Sequence, residues 1–161
     1  SLDFPNKELE EGFIRFLMPM YTAISELDSP SFIGKFVREV RACRVDDFMK
    51  RLKALMADTP YEIIKDLENH YQNVMYIFTR LMGFYTQAEY HTSCGRIDLL
   101  IATDKYVYVI ELKLDVSAEE AMAQINSKDY ALPFTADGRK VIKIGANITS
   151  STRNIERWVV E

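Results

Sequence analysis

The stretch GRIDLLIATDKYVYVIELKL, residues 95–114, constrains the fold more than any other part of the chain. Two runs rich in aromatic and β-branched residues, 96–103 and 106–114, are separated only by Asp104 and Lys105. That spacing suits a tight antiparallel hairpin and is too short for a crossover. Pairing about the turn sets Thr103 opposite Tyr106, and therefore Asp98 opposite Glu111. Side chains directly opposite share a face, with Cβ atoms about 5 Å apart. Two carboxylates thus meet on a sheet surface otherwise lined by Leu100, Val107 and Val109, where repulsion and desolvation both oppose ionisation.

Three remedies are available to such a pair: a raised carboxylate pKa, pairing with cations, or a metal ion held between the acids. Lys113 lies two residues beyond Glu111, and Arg96 two before Asp98, so each shares its acid's face and a purely ionic network is possible. A divalent site competes with it, because hard oxygen ligands from two carboxylates suit Mg²⁺ or Mn²⁺ and leave positions for water and a phosphate oxygen. Spacing alone leaves that choice open. A lone Glu-x-Lys arises by chance about 0.6 times in a chain of this length and carries no weight by itself. The strand context and the hairpin register that brings an Asp to the Glu add the specificity.

The rest of the chain places this hairpin in an α/β protein. Up to about Met82 the apolar residues recur at helical spacing, as in Leu9, Phe13, Phe16, Leu17 and Met20, then Phe48, Leu52, Leu55 and Met56, then Tyr71, Val74, Met75, Phe78 and Leu81. Breaks at Asp28-Ser29-Pro30 and Asp58-Thr59-Pro60 divide this half into about four helices. From Phe84 the period becomes that of strands, at about 84–93, 96–103, 106–114 and 140–148. Ser117 with Glu120 three residues on is a capping box, opening a helix that runs to about Tyr130. A tail around Trp158 follows the last strand, and the order implies a sheet covered by helices.

Composition narrows the function. With 48% apolar residues the chain can bury a substantial core. No apolar run reaches the roughly 18 residues of a membrane span and no secretory leader is evident, so the expectation is a cytoplasmic protein without membrane contact. Cys43 and Cys94 lack partners at metal spacing and are expected as packed free thiols. His70 and His91 are expected to pack or hydrogen-bond rather than act as bases. A formal charge of −4 argues against binding nucleic acid through bulk electrostatics. Lys35, Arg38, Arg41 and Arg44, spaced by three, read as a solvated helix face.

Asp98 followed by Glu111-Leu112-Lys113 resembles the site of the PD-(D/E)XK nuclease superfamily, with Ile97 where the Pro of the PD pair commonly stands. More narrowly, GRIDLLIATDKYVYVIELKLD, AEEAMAQI, DGRKVIKIGAN and TRNIERW resemble the nuclease-like domain at the C-terminal end of bacterial AAA-type ATPases. FPNKELEEGF is similar to the segment joining that domain to the ATPase, which implies an excised C-terminal region. The resemblance implies a restriction-endonuclease-like mixed sheet flanked by helices, with a helical N-terminal region over 1–66 and the nuclease-like domain over 67–161. It further implies that Asp98, Glu111 and the Leu112 carbonyl ligate Mg²⁺ or Mn²⁺. Glu68 is a further candidate ligand, for which Asp66 and Glu62 are alternatives. Lys113 would orient or deprotonate the attacking water, and Gln124 matches the helix glutamine of many members. The implied activity is metal-dependent phosphodiester hydrolysis of nucleic acid, with DNA expected and an ATPase domain of the same polypeptide as partner. Two alternatives stand beside it: a non-cleaving module of the same fold that binds nucleic acid or protein, and a docking domain whose charged cluster only stabilises it.

Overall fold

The computed structural model describes residues 29–57, 67–81 and 84–161. Within them α1 (Ser29–Arg41), α2 (Val45–Ala57) and α3 (Leu67–Leu81) precede a hairpin of β1 (Tyr85–Thr92) and β2 (Gly95–Ala102). Next come β3 (Tyr106–Leu114), α4 (Ala118–Ser127), a 3-10 turn (Leu132–Phe134), β4 (Lys140–Thr149) and β5 (Asn154–Val160). The helix expected over Leu9 to Met20 and the break at Asp58-Thr59-Pro60 lie outside the described residues.

The five strands form one mixed sheet in chain order. Antiparallel pairs join β1 to β2, β2 to β3 and β4 to β5, while β3 and β4 run parallel across the connection that carries α4. β5 is the one described strand absent from the sequence reading. It is an edge strand, three of whose seven residues are exposed, and Glu156 and Arg157 mask its pattern.

Strand alternation sends two sets of residues to opposite faces. One face carries Leu99, Ile101, Tyr108, Ile110, Ile142, Ile144 and Ile148, and packs against Phe36, Val40, Phe48, Met49, Leu52 and Tyr71 from the first three helices. Tyr108 is anchored there by a hydrogen bond from its hydroxyl to the Val40 carbonyl at 2.6 Å and an edge contact with Phe48. The other face carries Leu100, Val107 and Val109 beneath Met122 and Ile125 of α4, with Tyr130 packed beyond the helix end.

The approach of α4 depends on Gly145. A Cβ at that position would stand 2.6 Å from both the Ala118 carbonyl oxygen and the Met122 nitrogen, so only a glycine lets the helix lie directly on β4. The helix starts where Ser117 Oγ accepts the Glu120 N–H at 3.2 Å, as the capping motif requires.

Of the side chains singled out in the sequence, Cys94 and Arg44 depart from expectation. Cys43 is half-buried, but Cys94 is exposed at the tip of the β1–β2 turn, where a two-residue reversal leaves it no interior to enter. Lys35, Arg38 and Arg41 face solvent on α1, whereas Arg44 falls past its end and pairs with Asp47 at 3.5 Å. His70 is buried edge-on to Tyr71, and His91 is exposed on β1.

Gly145→Ala should lower the urea unfolding midpoint, at a cost of roughly 1–3 kcal/mol, because helix or strand must shift to admit the methyl. Wild-type stability in that variant would show that α4 is not pinned by this contact.

Candidate metal and nuclease site

The hairpin register follows from its turn. Thr103 donates its N–H to the Tyr106 carbonyl at 2.8 Å, while Thr103 Oγ1 accepts the Lys105 and Tyr106 N–H groups at 3.2 and 2.8 Å. The ladder then runs through Leu100↔Val109 to Leu99↔Ile110 and stops. One step further, Asp98 stands across from Glu111, and the Asp98 carboxylate takes over from the backbone: its Oδ2 accepts the Leu112 N–H at 2.8 Å. Because the N–H and C=O of one strand residue point to the same edge, the Leu112 carbonyl also faces this opening.

Glu111 is 1% exposed and Asp98 7% exposed. Lys113 Nζ lies 2.9 Å from Glu111 Oε1, and the Gln124 side-chain amide of α4 donates to the same oxygen. The second carboxylate oxygen of Glu111, Oε2, is buried and has no hydrogen-bond partner among the described residues. A buried acceptor left this way is costly, and such atoms are few in native proteins. Burial, reinforced by the Asp98 carboxylate and opposed by Lys113, pushes the Glu111 carboxyl up to about 7. Burial also raises Asp98, against the Leu112 N–H and the positive charges of Lys113 and Arg96.

Asp98, Glu111, Lys113, Leu112 and Gln124 are therefore brought together. Glu68 occupies the first turn of α3, but its side chain lies outside the described residues. Lys128 is exposed at the C-cap of α4, one turn beyond Gln124. A cleft of about 630 Å³ is lined by Asp115, Ser117, Asn147 and Arg157 among others, and none of Asp98, Glu111 and Lys113 lines it. Gln72 was not anticipated: its buried side-chain amide donates to the Asp98 carbonyl at 2.8 Å. The available signal was an amide one residue from Tyr71 on the apolar side of a helix.

Among the described residues no cluster of three or more His, Cys, Asp or Glu side chains could hold a metal ion. The donors here are two carboxylates and a main-chain carbonyl. That set fits Mg²⁺ or Mn²⁺, which accept a few hard protein oxygens and retain several waters, and the orphaned Glu111 Oε2 supplies an acceptor in need of a cation.

The sequence pattern of the PD-(D/E)XK nuclease superfamily matches residues 66–158, from the start of α3 to Trp158. The chain belongs to this superfamily. Its members are generally nucleases and typically use divalent metals. A protein of Azotobacter chroococcum mcd 1, described as "Uncharacterized protein in vnfD 5'region", is 30% identical over 171 aligned positions. The alignment covers 99% of this chain and 32% of that relative, so the chain spans about a third of its length. No solved structure matches. Among the described residues no helix is long and apolar enough to cross a membrane.

The raised Glu111 pKa fixes the sign of a pH effect on the metal-free protein. A carboxyl whose folded pKa exceeds its ordinary 4.5 contributes stability fully present below that value and lost as pH rises through about 7. On the order of 3 kcal/mol should disappear between pH 4.5 and pH 8, and Glu111→Gln should flatten that decline. Parallel unfolding free energies for the two proteins across the range would contradict the assignment.

Proposed function

We propose that this member of the superfamily hydrolyses phosphodiester bonds of nucleic acid, with DNA as the substrate and Mg²⁺ or Mn²⁺ as the cofactor. The supporting observation is the buried Asp98 and Glu111 pair, with one Glu111 oxygen lacking a hydrogen-bond partner among the described residues and the Lys113 ammonium beside the other. Asp98, Glu111 and the Leu112 carbonyl would hold the ion, with Glu68 as a further candidate ligand from α3. A bound divalent ion supplies positive charge to neutralise the phosphate and lower the pKa of water.

The chain's own side chains define the other roles. Lys113, ion-paired with Glu111, is an ammonium that can orient a water by donation and offset negative charge gathering on the phosphate oxygens. The ion pair opposes loss of that proton, which favours orientation over general-base action. Gln124 fixes the Glu111 carboxylate by donating its amide to Oε1, and Oε2 is left without a hydrogen-bond partner among the described residues. Lys128, exposed at the end of the same helix, would meet a phosphate of the substrate backbone.

An ATPase domain of the same polypeptide is proposed as partner. Its support is the likeness of FPNKELEEGF to an ATPase junction, together with a relative about three times the length of this chain. A non-cleaving module of the same fold is the alternative. The formal charge of −4 and the pairing of Glu111 Oε1 with Lys113 and Gln124 favour it.

Plasmid and single-stranded DNA incubated with the protein and Mn²⁺ should be cut, with Asp98→Ala and Lys113→Ala each lowering the rate at least about a hundredfold. DNA retained intact by a metal-loaded protein would favour the non-cleaving module.

A further inference from the structure

We infer that Gln72 of α3 is a positioning residue for the site: by fastening the Asp98 main chain it holds the Asp98 carboxylate toward Glu111. The inference rests on the metal-holding reading of that pair. It starts from an irregularity in the β1–β2 ladder, which pairs Ala88 with Leu99 and Tyr90 with Ile97 but passes over Glu89 and Asp98. Glu89 has φ 51, a left-handed conformation incompatible with a continuous strand. The Asp98 carbonyl faces β1, since Thr103 faces β3 and strand residues alternate. It therefore points to the place where regular pairing lapses.

Gln72 reaches this carbonyl from the helical layer, its Nε2 lying 2.8 Å from the oxygen. The amide is buried, with the residue 8% exposed, so the bond meets a need of its own as well as that of the carbonyl. On its other side Asp98 is held through Oδ2 by the Leu112 N–H. Two bonds from different layers thus fix one residue: the main-chain bond sets the orientation of the peptide, and the carboxylate bond sets the side chain. Groups of this kind, which touch a ligand's holder rather than the ligand, typically change metal affinity 10- to 100-fold when removed.

Gln72→Met keeps length and helix propensity while removing the donor. Gln72→Asn, one methylene too short to reach, serves where the first does not fold. Without metal, amide exchange at Leu112 should accelerate at least about tenfold relative to Ile110, two residues away in the regular ladder. General destabilisation moves both amides together. With metal, the Mn²⁺ dissociation constant from electron paramagnetic resonance should rise at least about tenfold. An unchanged Leu112-to-Ile110 exchange ratio overturns the inference whether or not the protein binds metal. A raised ratio in a protein whose wild type takes up no Mn²⁺ upholds the positioning role and overturns the metal reading instead. A raised ratio with unaltered Mn²⁺ affinity overturns the claim that this positioning serves the site.

Discussion

Two carboxylates face one another across β2 and β3 with almost no access to solvent, and much of the surrounding structure answers to that fact. Like charges so placed repel, and neither can be hydrated as it would be in water. Asp98 recovers part of the loss through the Leu112 N–H, and Glu111 through Lys113 and Gln124. The compensation is incomplete, since Glu111 Oε2 has no hydrogen-bond partner among the described residues and burial raises the pKa of both acids. A fold that needed only an inert core could have placed valines at both positions. That unfinished compensation is the observation on which the proposed metal site rests.

Distant parts of the chain bear on this one spot. Gly145, beside Glu111 in the parallel ladder, admits α4 to backbone contact and so brings Gln124 within reach of the carboxylate. On the opposite face, the packing of α3 carries Gln72 to the Asp98 main chain. The large apolar cluster shared by the sheet and the first three helices makes these placements rigid, because interiors packed this densely resist small displacements. Helices on both faces therefore reach the two acids, one through the backbone of Asp98 and one through the side chain of Glu111.

The hairpin was legible in the sequence because a two-residue connection leaves almost no freedom of register, and register alone sets Asp98 against Glu111 and Lys113 on the same side. The start of α4 was legible for a similarly local reason, a Ser hydroxyl and a free N–H three residues apart. What escaped depends on contacts between distant segments. Gln72 meets Asp98 across 26 positions, and its place next to Tyr71 on a helix does not name the distant carbonyl it reaches. Gly145 looked like an ordinary strand residue until α4 lay on it. β5 hid its period behind the charges of an edge, and Cys94 was exposed because a turn has no interior.

Titration of Mn²⁺ into the protein near pH 6.5, by calorimetry in two buffers of different ionisation enthalpy, tests the proposed metal site most directly. Cation binding must expel the proton that Glu111 carries at a pKa of about 7, so the observed heat should differ between buffers by up to about one proton per site. Asp98→Asn should abolish most of the binding heat. Binding without proton release, unchanged in Asp98→Asn, would contradict a metal site at this pair of acids.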